Sequence, residues 1–300
     1  MKPYDKPALT FEAQLAHLER HGLTINDRGR TLAIFSHVSY YRLSAYWYPF
    51  RVRDEQNQVT NHFEDGTDLQ DALTLYEFDR KLRLLVMDAI ERIEVSIRTR
   101  LTYVLAHAFG AFGHTNARNF HPQFKHTTWL NRLDDEVQRS SEEFIRHFQQ
   151  SYQGFPRIPI WMTTEIISFG ALSRLYKGLK HEHKRKVADA YSLHHRTLMD
   201  WMHVLTYIRN VCAHHNRLWN RELAIRPRLR GLPEKWQPPH TPRNDRIFII
   251  LLILNHLLKA GDNGDDWRDA VFNLIEPVTA SPRWATAMGF PEQWKEHSLW

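Results

Sequence analysis

The sequence predicts an all-α protein on three observations. Apolar residues recur at spacings of three and four along most of the chain, and no convincing two-residue alternation of a strand ladder is found. Helix-capping residues and glycines such as Thr10, Gly22 and Gly110 stand where those periodic segments begin and end. A hydrophobic fraction of 42% and a charged fraction of 25% are ordinary globular values, which rule out a disordered or fibrous chain. At 300 residues the chain is long for one compact domain and short for two large ones. It reads as one integrated unit in three parts: an N-terminal helical and aromatic extension over 1–64, a helical core over 65–260, and short C-terminal helices over 261–300. No internal repeat or low-complexity tract is present.

Taken in order, Thr10 caps a first expected helix that runs to about His21 and is ended by Gly22, and Asn26 or Asp27 caps a second that reaches about Ser36. The stretch Tyr40 to Tyr48 is dense in aromatics. It reads as a packed satellite core, with base stacking as the alternative, and leads into a polar loop from Arg53 to Gly66. The longest element opens at Thr67 or Asp68 and closes at Gly110. Leu69, Leu73, Tyr76, Leu82, Val86, Ile90, Ile93, Ile97, Leu101 and Val104 give it one apolar face. Asp79/Arg83, Asp88/Arg92 and Glu94/Arg98 are acid-then-base pairs at i,i+4, each supporting a helix by a few tenths of a kcal/mol, roughly. At about 1.5 Å per residue it would exceed 60 Å, so a kink or break is expected inside it.

A His-rich connection, His114 to His126, precedes a charged helix expected over 128–151. Pro156 and Pro159 interrupt, a short helix from Trp161 to near Gly170 follows, and then another over 171–179. After the basic cluster 181–186 come a helix over 196–214, a Pro- and Arg-rich loop from Arg217 to Pro242, and the apolar segment over 245–260. Its run Ile247 to Leu258 is about a dozen residues with Asn255 and His256 inside it, too short for the ~20 that span a bilayer, so it reads as a buried core helix.

Composition narrows function by exclusion. Forty Lys+Arg against 34 Asp+Glu give a formal charge of +6, which suits a polyanionic partner without establishing one. A single cysteine, Cys212, excludes intramolecular disulfides and Cys-paired metal sites and fits a reducing compartment. The N-terminal MKPYDKPALTF has no apolar core or small-residue cleavage site of a secretory signal, so a cytoplasmic protein that does not span a membrane is expected. Gly-rich phosphate loops, HExxH and GxSxG are absent, and the 19 histidines show no metal-ligand spacing with a supporting carboxylate. Neither a metal nor a cofactor is expected.

The helix over 196–214 carries the chemistry. Projected at about 100° per residue, Leu198, Trp201, Leu205, Ile208 and Cys212 make a core face, and His203, Tyr207, Asn210 and His214 align opposite within about 60°. Two imidazoles, a phenol and an amide can exchange hydrogen bonds with a substrate, and Asn210 can orient the His214 ring. An exposed or interface face without chemistry is the competing reading. Arg209 lies about 140° round the helix from His214, so the two converge only if the helix end loosens or a second copy contributes. Between 209 and 230, six arginines (209, 217, 221, 226, 228 and 230) face one acid, Glu222, an environment suited to phosphate.

Arg209-Asn210-Val211-Cys212-Ala213-His214 is an Arg-x4-His arrangement that resembles the motif of HEPN-domain proteins, and its surroundings resemble the Abi-like abortive-infection family of bacterial phage-defence proteins. Supporting segments lie at 40–46, 75–83, 91–98 and 161–170, in order over about residues 30–220. The resemblance implies an all-α HEPN-like bundle with extra N-terminal and C-terminal helices, dimerising so that two Arg-x4-His helices form one site. It implies a metal-independent endoribonuclease acting as a toxin-like effector against phage. His214 would be the general acid/base, Arg209 the transition-state stabiliser, and Asn210 the residue orienting His214 or the phosphate. Glu94, Arg98, Tyr207 and His203 would support or orient; a plain helix ion pair is the alternative for Glu94 and Arg98. Arg217, Arg221, Arg226 and Arg228 would bind RNA. The expected partners are RNA, a second copy, and an antitoxin or inhibitor, either protein or small RNA. The competing functions are a non-catalytic RNA- or nucleotide-binding module and a helical protein-interaction adaptor.

Overall fold

The computed structural model describes residues 3–5, 7–241, 243–261 and 264–300. Met1, Lys2 and Lys6 of the N-terminal segment, and Pro242 at the end of the expected loop, lie outside them. The protein is predominantly all-α, with thirteen α-helices and one two-stranded sheet among the described residues. The chain divides into two compact units, 1–81 and 82–300.

In the first unit, α1 (Phe11–Arg20) and α2 (Arg28–His37) start where Thr10 and Asp27 accept the backbone N–H of Ala13 and Arg30, at 3.2 and 2.9 Å. The aromatic stretch forms α3 (Tyr40–Trp47), capped by Ser39. Its Leu43, Tyr46 and Trp47 are buried, and the Tyr40 and Trp47 rings meet edge-on at 4.9 Å. The Tyr46 hydroxyl donates to Asp79 at 2.7 Å, which satisfies a carboxylate taken fully out of water. The satellite-core reading therefore holds for this stretch, while Tyr41 and Tyr48 stay exposed.

The expected polar loop from Arg53 to Gly66 instead holds the turn and second strand of an antiparallel hairpin, β1 (Arg51–Arg53) with β2 (Val59–Phe63). The Asp54 carboxylate accepts the N–H groups of Gln56 and Gln58 at 3.0 and 2.8 Å and builds the turn. Both strands are short and largely solvated, so they carry no alternating pattern.

The long helix α4 (Leu69–Phe109) is 41 residues without interruption, so the expected break does not occur. It holds no proline or glycine to provide one. Within the second unit Leu82, Val86, Ala89, Ile90, Ile93, Ile97, Leu101 and Leu105 bury one face, and Gly110 closes the helix at φ +76°. The charged helix expected over 128–151 is divided into α5 (His126–Arg139) and α6 (Glu143–Ser151), because the Ser140 hydroxyl takes the N–H of Glu142 at 3.3 Å.

The elements that place the site follow. α7 (Ile160–Ile166) gives way to α8 (Phe169–Gly178) at Ser168, whose hydroxyl caps α8, so Gly170 lies inside a helix and not at the end of one. The basic cluster is itself helical, α9 (His181–Asp189), and leads to α10 (His195–Ala213). α8 packs on α10 closely enough that a Cβ at Gly170 would sit 3.3 Å from the Thr206 methyl. α11 (Ile247–Lys259) is buried from Ile247 through Asn255, as its apolar run predicts, and the buried Asn255 amide donates to the Leu299 carbonyl at 2.9 Å. α12 (Asp265–Thr279) and α13 (Pro282–Met288) complete the chain. Among the described residues no helix is long and apolar enough to cross a membrane.

Candidate active site

α10 divides as the projection predicts. Leu198, Trp201, Leu205, Ile208 and Cys212 are buried, and His203, Asn210 and His214 are exposed, with Tyr207 half-buried between the two faces. Arg209 is exposed beside them. Among the described residues, the side chains of Arg209, Asn210, His214 and His203 make no hydrogen bond or ion pair. A rigid, core-anchored helix thus presents two imidazoles, an amide and a guanidinium to solvent with all their polar atoms available.

The helix ends one residue earlier than expected. The N–H of His214 donates to the Asn210 carbonyl at 3.0 Å, that of His215 to Cys212 at 2.9 Å, and that of Asn216 to Val211 at 2.9 Å. His215 adopts φ +55°, so the pattern is a Schellman stop with a histidine in the left-handed position that glycine usually fills. That stop fixes the backbone of His214 at the tip of α10. No glycine marks it in the sequence, which is why the periodicity runs on to 214.

The supporting residues fall into different places. Glu94 and Arg98 form the expected ion pair on α4, with side chains only 17% and 13% exposed, and Arg98 also donates to the Ile167 carbonyl at 2.8 Å. The pair therefore braces the junction of α7 and α8. No hydrogen bond or ion pair joins it to Arg209, Asn210 or His214 among the described residues. The Tyr207 hydroxyl accepts the N–H of Ala224 at 3.4 Å and so anchors the chain that leaves α10.

That returning chain redistributes the arginines. Ala224 is tied at the level of Tyr207, and the N–H of Arg228 donates to Asp200 at 2.8 Å, so the segment runs back along α10 toward its N-terminal end. Arg228 and Arg230 are thereby carried to the His203 half of the helix, where they line a cleft with α8. The cluster that is continuous in sequence is divided in space. Arg226 is paired with Glu222 at 2.5 Å, Arg221 donates to the Arg217 carbonyl at 2.7 Å, and Arg217 is half-buried. Of the four expected RNA-binding arginines, Arg228 alone lines the cleft; sequence reasoning missed Arg174, Lys177 and Arg196, which join it there. Their signal was available as cations at i,i+3 on α8 and at the first turn of α10, but nothing in the sequence brings the two helices together.

Other histidines serve packing. His114 and His126 are buried, and the His126 Nε2–H donates to the His114 carbonyl at 2.8 Å. Burial, reinforced by the nearby His126 and Arg157, lowers the His114 pKa to about 4. His195, the first residue of α10, is likewise lowered to about 4, by burial first and then by the adjoining His194 and His181 rings.

A helical protein that exposes an Arg-Asn-x3-His cluster on the tip of a buried helix is the class these observations define. The chain belongs to the Abi-like protein family, whose model matches residues 33–220 and so takes in α3 through the tip of α10. That membership supports a role in abortive infection. No curated protein and no solved structure matches the chain.

Proposed function

We propose that this protein is a metal-independent endoribonuclease of the HEPN type, acting as an effector in abortive infection, with a site assembled from the α10 tips of two copies. The observation that carries the reading is the state of Arg209, Asn210 and His214: all three are exposed and uncommitted at the end of a helix whose other face is fully packed. Their polar atoms are open to a partner arriving from solvent.

The chemistry follows from the residue types. His214 accepts the proton of an RNA 2′-hydroxyl as the 2′-oxygen bonds to phosphorus. Arg209 neutralises the charge that grows on the non-bridging oxygens, and Asn210 orients the ring or the phosphate. The P–O5′ bond breaks, and the imidazole of the second copy delivers a proton to the departing 5′-oxygen. The products are a 2′,3′-cyclic phosphate and a 5′-hydroxyl. An internal nucleophile needs no metal-activated water. A two-copy site also resolves the angular separation of Arg209 from His214 on one helix, about 140°.

The test is RNA cleavage in EDTA by the parent and by His214→Ala. The expected result is activity in the parent and a loss of at least about 100-fold in the variant. Equal cleavage by the two, or abolition by EDTA, contradicts the mechanism.

A further inference from the structure

The cleft between α8 and α10 has its own chemistry. It encloses about 940 Å³ and draws its walls from three separate segments of the second unit: α8, the first half of α10, and the returning chain at 228–230. Five cations line it, Arg174, Lys177, Arg196, Arg228 and Arg230, against the single carboxylate of Asp200. That carboxylate is already engaged, accepting the Arg228 N–H at 2.8 Å and standing 3.6 Å from its Nε. Arg174, Lys177, Arg196 and Arg230 are exposed and have no acidic partner among the described residues. Like charges gathered round a concave surface repel one another unless an anion occupies it, and a cleft concentrates their field. The first turn of α10, with Arg196, adds the positive end of the helix dipole.

We propose that this cleft is a channel for the phosphodiester backbone of a single-stranded nucleic acid on its way to the α10 tip. The cations come from three separate segments, and a cleft of about 940 Å³ offers far more room than an isolated phosphate needs. No phenylalanine, tyrosine or tryptophan is among the described residues lining the cleft and His203 is its one ring, so recognition falls mainly to the backbone. The cleft also leads to the site. His203 lines it and lies on the same stripe of α10 as His214, eleven residues and so about 16 Å further along the helix. A strand held by Arg174, Lys177 and Arg230 and laid along α10 reaches Asn210 and His214. The choice of RNA as the strand rests on the ribonuclease reading above; the demand for a polyanionic strand does not.

The experiment measures binding apart from cleavage. A fluorescent 2′-O-methyl RNA of about twelve nucleotides, which has no free 2′-hydroxyl to react, is titrated by anisotropy with the full chain and with R174E/K177E. Both substituted side chains are exposed, and circular dichroism checks that the fold is kept. The expected result is at least a tenfold loss of affinity in the variant. The slope of log affinity against log salt should fall by roughly 1.4, the value for a single strand with two fewer phosphates neutralised by the protein. Equal affinity in parent and variant overturns the channel, whether or not His214-dependent cleavage persists. Displacement of the oligonucleotide by tripolyphosphate at equal phosphate concentration also overturns it, assigning the cleft to a small anion. Loss of binding in R174E/K177E, together with a parent that does not cleave unmodified RNA, supports the channel and removes the ribonuclease reading.

Discussion

Two regions of the second unit hold polar side chains in opposite states. Around the 113–126 connection, His114 and His126 are buried, joined to each other through a carbonyl, and His114 Nε2 lies 3.3 Å from the Thr163 hydroxyl. At the tip of α10, His214, Asn210 and Arg209 are exposed and bonded to nothing through their side chains among the described residues. Glu94 and Arg98 belong with the first group, since they are mostly buried and hold the Ile167 carbonyl. The contrast shows that abundance of histidine says little about a site; the informative property is whether the ring reaches solvent. Substitution should cost stability in the first region and activity in the second.

The largest effect expected is on activity. His214→Ala should lower cleavage by at least about 100-fold while changing stability by no more than about 0.5 kcal/mol, as for exposed residues without partners. A large loss of stability would place His214 with the packing histidines and break the comparison. Arg98→Ala should do the reverse, costing about 3 kcal/mol by denaturant titration because it leaves the Glu94 carboxylate largely buried and unpaired. If Arg98→Ala kept full stability and lost cleavage, the pair would belong to the site.

Acid should separate the two regions as well. His114 stays neutral in the fold until about pH 4, whereas in the unfolded chain it gains its proton near 6.5. The unfolded state therefore binds more protons in that window. Stability is complete above about 6.5 and is lost as pH falls toward 4, by up to about 3 kcal/mol from this residue, with His195 acting in the same direction. Denaturation midpoints at several pH values check this, and His114→Gln should flatten the dependence. The smallest effect concerns backbone strain. Ser192, just after α9, is held at φ +53°, and Ser192→Gly should raise stability by about 0.5–1 kcal/mol without altering cleavage.

The helices were legible where an apolar face and a cap coincide, as for α1 and α2, and where the apolar pattern is long enough to stand alone, as for α10 and α11. Hydroxyl competition for backbone N–H groups at Ser140 and Ser168 moved boundaries that periodicity alone could not place. The hairpin escaped because its strands are short and solvated, and the end of α10 because a histidine stands where a glycine would have announced it. The two faces of α10 were readable because one helix contains all their residues. The cleft was not: Arg174 and Lys177 meet Arg228 and Arg230 only through the packing of α8 on α10 and the reversal of the chain after Tyr207. The linear run of arginines consequently suggested more charge beside His214 than the fold delivers there.

In the proposed reaction Arg209 and His214 direct an internal 2′-hydroxyl at phosphorus. End-group analysis of RNA cleaved by the parent protein in EDTA tests it most directly. The expected products are fragments ending in a 2′,3′-cyclic phosphate and beginning with a 5′-hydroxyl, absent with His214→Ala. Fragments bearing 5′-phosphates would show attack by water and contradict it.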